Sequence, residues 1–368
     1  MSKTSDVVII GGGLHGCSAA LHLAMRGLSV TVLEKDHVAR HASGMSAGGV
    51  RRLGRDLAEV PIAIRAAEYW HDIKALVDDD CGYRESRYLQ LAENDADMAR
   101  AEARVAQMQA NGFTHEEVID EPTLRSFEPN VASHCIGALH VDGDGAADPG
   151  RTTQAFRRRA EALGALVVED AAVTSITREG ESWRVLTSAG AFIGGALVNA
   201  AGAWGGKVAT MLGEKAPVDP RAPMMQLTEP VPTCANAVFG ALGDALSLKQ
   251  MEDGAVMIGG GRLGQVLLHQ NDVALEEEGL ARSLATARRL FPILENAKVG
   301  RRWAGIEGYM PDDIPVISLG AAPGVVHSFG YSAHGFQLGP AAGEIVADLV
   351  INQATKYPIE ALRIDRFS

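Results

Sequence analysis

The chain has 368 residues, 46% of them hydrophobic and 22% charged, and a formal net charge of −12. This length is long for a single core, so two packed domains are expected, and the acidic balance argues against nucleic acid, whose phosphates bind basic faces. No apolar run approaches the ~18 residues of a membrane span, and a strand starting by Asp6 or Val7 leaves no room for a signal peptide, so a cytoplasmic protein is expected.

Val7-Val8-Ile9-Ile10 reads as a buried parallel strand running straight into a glycine-rich turn. Residues 16–26 carry apolar positions at helical spacing, and residues 28–33 alternate into a second strand. Gly11, Gly13 and Gly16, with Leu14 and His15 between them, fall where strand feeds helix. A dinucleotide pyrophosphate needs close backbone approach and helix N-terminal N–H groups at that point. Glu34, eighteen residues past Gly16, ends the second strand where a carboxylate can accept hydrogen bonds from ribose hydroxyls, and Lys35 adjoins it.

A loop rich in small residues follows. It carries His41, Ser43, Gly44, Met45 and Ser46, then Ala47, Gly48 and Gly49, and ends at Arg51. Beyond it the pattern predicts helices over 60–76, 95–110 and 121–127, with strands over 87–91 and from 138. Asp148 is placed to cap a helix over 150–163, with Pro149 at its favoured first position. Strands over 166–169, 173–177 (from Val173) and 183–187 are expected to form a small antiparallel set.

Residues 196–204, with Ala200, Ala201, Gly202 and Trp204, read as another buried parallel strand stopping at a glycine turn. Alternating strands over 218–261, a helix over 275–290, a strand over 325–329 and a last helix to about 351 complete the chain. The class expected is α/β: a discontinuous Rossmann-type domain from 1–80, 145–215 and 311–368, and a mostly antiparallel α+β substrate domain from 81–144 and 216–310. Ligands of such sheets bind beyond the C-terminal strand ends, here at the domain junction. Cys17, Cys81, Cys135 and Cys234 show no metal-type spacing and are expected to be free thiols.

A strand-turn-helix of this kind serves nicotinamide and flavin enzymes alike. The rest of the chain resembles the FAD-dependent amino acid oxidoreductases of the D-amino acid oxidase type, a group that includes glycine oxidase, sarcosine oxidases and D-arginine dehydrogenase. Gly11 to Glu34 matches that family's adenosine and pyrophosphate site, and residues 41–50 its second flavin-contacting segment. Residues 198–204 match the strand and turn beside the flavin, and Trp303-Ala304-Gly305 with Asp312 and Pro315 the segment leading to the C-terminal contact. Gly330-Tyr331-Ser332-Ala333-His334-Gly335-Phe336 matches the loop beside the isoalloxazine ring.

The resemblance implies FAD bound between a Rossmann-type FAD-binding domain and a substrate domain. It implies hydride transfer to the flavin from an amino or N-substituted amino acid, giving an imine that hydrolyses to an oxo acid. The partners implied are a small amino or imino acid and an electron acceptor that is oxygen, a quinone or a partner flavoprotein; no metal is implied. The Gly-Gly-Val-Arg run also resembles beta subunits of opine, sarcosine or proline oxidising complexes, so a homo- or hetero-oligomer is open.

The substrate-facing positions depart from the family. Glycine oxidase and D-arginine dehydrogenase carry a carboxylate-clamping arginine after Trp-Ala-Gly, where this chain has Glu307. Monomeric sarcosine oxidase uses an arginine of the second flavin loop, matched here by Arg51, and a lysine after His-Gly-Phe, where Gln337 stands. Its flavin-attaching cysteine has no counterpart near Gly305 or Ile306. Arg51 is therefore the expected carboxylate anchor. Tyr331, Ser332, His334 and Gln337 are candidates for the amine side or the flavin, and Glu307 for a cationic substrate tail. Of Arg51, Arg52 and Arg55, at least one is expected to be a plain surface charge, and Trp204 and Trp303 to be packing residues.

Overall fold

The computed structural model describes residues 3–367. Strand β1 (Lys3–Ile10) ends in four buried residues, Val7 to Ile10, because a parallel strand covered on both faces needs no alternation. It lies at the centre of an eight-stranded sheet. Helix α1 (Leu14–Met25) carries the chain back to β2 (Val30–Leu33), which pairs with β1 in parallel. On its other edge β1 pairs in parallel with Gly190–Asn199, whose last residues pair in parallel with Val325–Phe329. The sheet's centre is thus assembled from the beginning, middle and end of the chain.

The expected antiparallel trio is only partly formed. Val173–Glu179 and Ser182–Thr187 make a hairpin that continues onto Gly190–Asn199, but Leu166–Val168 pairs in parallel with β2. The helix before it, Pro149–Ala162, packs beside α1 and returns the chain to the starting edge of the sheet, so the next strand runs the same way as β1 and β2. Asp148 caps that helix, accepting the Arg151 N–H at 2.7 Å.

The second sheet has twelve strands and is largely antiparallel. Its long members are Arg84–Ala92, Gly137–Ala146 and Asp219–Thr228. Gly49–Val50, from the first nucleotide segment, pairs with Gly145–Ala146 of this sheet, so the loop leading to Arg51 is held across the junction. The predicted helix over 60–76 is two, Val60–His71 and Ile73–Val77, because Asp72 leaves helical dihedrals at φ −118° and ψ 30°.

Each sheet has its own core. The last helix, Gly335–Asn352, is apolar nearly all round because it is wedged among α1, Val60–His71 and the nucleotide sheet. The second core centres on Leu89, Leu248 and the edge-to-face pair Phe239–Phe291, with ring centroids 4.8 Å apart. All four cysteines are free and buried. Among the described residues no helix is long and apolar enough to cross a membrane.

Candidate active site

The turn after β1 is closed by backbone contacts that leave no room for side chains. Gly11 has φ +108°, and a Cβ there would lie 2.3 Å from the Ala200 carbonyl oxygen. At Gly16 a Cβ would lie 1.9 Å from the Gly11 carbonyl oxygen, so α1 sits directly on the turn. Glu34 spans this turn: Oε2 accepts the Gly12 N–H at 2.7 Å and Oε1 the Asp36 N–H at 2.9 Å. Burial raises its carboxyl above the ordinary range, opposed by those two N–H donors. The Leu14 N–H, at the open start of α1, donates to Ser43 Oγ at 2.9 Å.

A cavity of about 520 Å³ runs from this turn to the junction of the two sheets. Gly11, Gly13, Leu14, Glu34 and Lys35 line its first part. The small-residue loop contributes Ser43, Met45, Ser46, Ala47, Gly48 and Gly49, and then Arg51. Val173, Ala200, Ala201, Gly202 and Trp204 form one side, and Gly305, Glu307, Gly330, Tyr331, Ala333, Gly335 and Phe336 close the far end. Asn271, at the tip of a turn from the second sheet and itself at φ +54°, reaches across the nucleotide end. Its Oδ1 accepts from Lys35 Nζ and, at 2.9 Å, from His41 Nε2, while Nδ2 donates to Asp36 at 2.8 Å. A glycine cradle, a helix N-terminus and a carboxylate at the end of β2, all on one cavity, fit FAD.

At the far end the His15 and Tyr331 rings stack, with centroids 3.6 Å apart and planes 12° from parallel. Burial pushes the His15 imidazole down to about 3, so it is neutral, and its buried Nδ1 has no partner among the described residues. The Tyr331 hydroxyl pairs with Ser328 Oγ at 2.8 Å. Glu307 lines this end, its Oε1 accepting the Ala333 N–H at 2.9 Å.

Burial pushes the Glu307 carboxyl up to about 7 from an ordinary 4.5. Between those values the folded protein holds a proton that the unfolded chain has released, so Glu307 makes stability fall as pH rises from about 4.5 to about 7. Thermal unfolding of wild type and Glu307→Gln at pH 5 and pH 7.5 measures this. The wild type should lose about 2 kcal/mol more than the variant over that interval. Parallel behaviour of the two proteins would contradict the shift.

Five expected residues lie off the cavity wall. Gln337 is fully buried with Nε2 donating to the Ala63 carbonyl at 2.8 Å, while its backbone carbonyl accepts from Trp70 Nε1 at 2.8 Å. Its place in the first turn of the last helix aims it at Val60–His71, so it seals two helices together. His334 Nδ1 meets the buried Glu59 carboxylate at 2.9 Å behind the wall. Ser332 Oγ accepts the Met310 N–H at 3.0 Å and so pins its loop. Gly16 lies beneath the turn, and at Gly44 a Cβ would lie 2.1 Å from the Ala39 carbonyl oxygen.

Among the arginines, Arg52 pairs with Asp144 at 2.9 Å and is structural. Arg55 is not a surface charge: it is 1% exposed and lines the cavity beside Arg51. Tyr88 and Gln90 of the second sheet also line it. Sequence reasoning passed over all three; the alternation of Arg84–Ala92, which sets Tyr88 and Gln90 on the same face, was the available signal.

A family model described as FAD dependent oxidoreductase matches residues 6–349. The chain is similar to the bifunctional protein ThiO/ThiG of Synechocystis sp., at 27% identity over all of this chain and 55% of that one, so it spans about half the length of that relative. It is 25% identical to glycine oxidase of Bacillus licheniformis, over all of this chain and 98% of that one. Among solved structures, L-proline dehydrogenase from P. horikoshii superposes with a TM-score of 0.91 at 28% identity, covering 100% of this chain and 98% of that one. The chain belongs to the FAD dependent oxidoreductase family and is an enzyme of the amino-acid oxidase superfamily, with FAD as its cofactor.

Proposed function

We propose that the enzyme oxidises the C–N bond of an α-amino or N-substituted amino acid to an imine, which water hydrolyses to an oxo acid, with Arg51 holding the substrate carboxylate. The observation that carries this is the state of Arg51. Its guanidinium is on the cavity wall, one Nη1 donor is fixed on the Leu53 carbonyl at 2.6 Å, and among the described residues no carboxylate lies within 4.0 Å of it. A planar fork held from behind with its remaining donors free suits a bidentate carboxylate.

FAD, when bound, supplies the two-electron acceptor for the oxidised bond. The chain's own part is to position the substrate and keep its amine unprotonated. Arg51 fixes one end. Glu307 is a carboxylate available to take a proton from the substrate ammonium, and the apolar faces of Tyr331 and Phe336 help keep water from the far end.

A second reading makes the chain a subunit of a larger oxidising complex in the cytoplasm. It is supported by 26% identity to sarcosine oxidase subunit beta of an Arthrobacter species, over 99% of this chain and 91% of that one. One experiment tests both readings. The flavin of the purified holoenzyme should bleach anaerobically with one class among D-amino acids, N-methyl amino acids, prolines and opines. Rapid return of the colour in air with peroxide release assigns an oxidase; persistence of the reduced flavin until a quinone or a partner protein is added favours the subunit or dehydrogenase. No bleaching across the panel would overturn the proposal.

A further inference from the structure

Arg55 is a guanidinium without a counter-ion in a chain that has acids to spare, 46 Asp and Glu against 34 Lys and Arg. It is 1% exposed, its Nε donates to the Arg51 carbonyl at 3.1 Å, and its buried Nη1 has no partner among the described residues. Other half-buried arginines nearby are matched: Arg52 by Asp144 at 2.9 Å, and Arg104 by Glu116 at 2.7 Å. Among the described residues no carboxylate lies within 4.0 Å of Arg55, and the buried Glu59, four residues on in the sequence, is hydrogen-bonded to His334 and acts on Arg55 only from beyond that distance.

We propose that Arg51 and Arg55 form a two-guanidinium anion site and that the substrate carries a second carboxylate besides the one on its α carbon. This rests on the assignment of Arg51 as the α-carboxylate anchor. An ordinary amino acid brings one negative charge to two positive groups and leaves a guanidinium uncompensated where water is scarce. A dicarboxylic substrate neutralises both, and Glu307 remains for the amine. Burial and the like charge of Arg51 push the Arg55 guanidinium down to about 9, opposed at longer range by Glu59 and Asp144. Arg51 and Arg55 lie in one irregular segment ahead of the helix at Val60, joined by the bond from Arg55 Nε to the Arg51 carbonyl, and Tyr88 and Gln90 border the same stretch of wall.

The test uses the holoenzyme and non-reactive acids, followed by the change in the flavin's visible spectrum. Succinate and glutarate should bind on the order of tenfold or more tightly than butyrate and acetate. In Arg55→Gln the ratio of dicarboxylate to monocarboxylate affinity should fall to near one. A wild type without the preference, or a variant that keeps it, overturns the proposal. If the variant does not fold, the wild-type series decides alone. Failure here is distinct from failure of the proposed reaction: bleaching by monocarboxylic amino acids with no advantage for dicarboxylic ones removes only the second carboxylate, whereas no bleaching by any amino acid removes the reaction itself.

Discussion

Replacing Arg51 with alanine is expected to raise the substrate concentration for half-maximal flavin reduction by about 100- to 1000-fold while FAD stays bound. The size follows from what is lost. A charge-assisted bidentate pair in a largely desolvated cavity contributes more than a neutral hydrogen bond, and its removal leaves the substrate carboxylate without its planar partner. FAD retention is expected because the glycine turn, Glu34 and the start of α1 lie on other segments. Arg51→Lys should recover only part of the loss, since an ammonium keeps the charge without the fork. Anaerobic stopped-flow reduction against substrate concentration gives the comparison; a change of less than about threefold would move the anchor elsewhere.

The second large effect is on the cofactor itself. Gly16→Ala should yield protein that has lost FAD and is destabilised by about 3 kcal/mol or more. The added methyl would stand 1.9 Å from the Gly11 carbonyl oxygen, and neither atom belongs to a side chain that could rotate away. Relief requires α1 to lift off the turn, which pulls its N-terminal N–H groups from the cavity. Gly300→Ala is the control, because the nearest atom to its Cβ is 3.9 Å away, in ordinary contact. Flavin-to-protein ratio after purification and the thermal midpoint report the two consequences. A flavin-replete Gly16→Ala protein would show that the turn tolerates spreading.

Much of this was legible in the residues. Val7 to Leu33 announces its strand, turn, helix and strand because each local signal, an apolar run, three glycines, helical spacing and a terminal acid, agrees with the others. The strand at Val325–Phe329 and the capped helix at Pro149–Ala162 were equally plain. What escaped is what depends on distant packing. Leu166–Val168 looks the same whether it pairs in parallel or antiparallel, and only the position of the preceding helix decides. Gln337 and His334 sit in a segment whose other members line the cavity, yet helix geometry turns them towards Ala63 and Glu59. Arg55 resembles any charged residue near a helix start until the second sheet covers it.

The three-piece construction of the nucleotide sheet bears on how the enzyme is made. β1 is made well before its central partner Gly190–Asn199, which emerges only after Arg84–Ala92 and Gly137–Ala146 of the second sheet, and Val325–Phe329 is made later still. Pairings between segments so far apart are slow to close, and until they close the apolar edge of β1 stays uncovered. The Ala200 carbonyl that seals the Gly11 turn, and the Gly335–Asn352 helix that buries α1, both belong to those late pieces. A nascent or truncated chain ending before Val325 would therefore carry the complete glycine fingerprint and still lack a finished place for the flavin. Capture of FAD becomes a late event, available to stabilise the fold once Val325–Phe329 has docked.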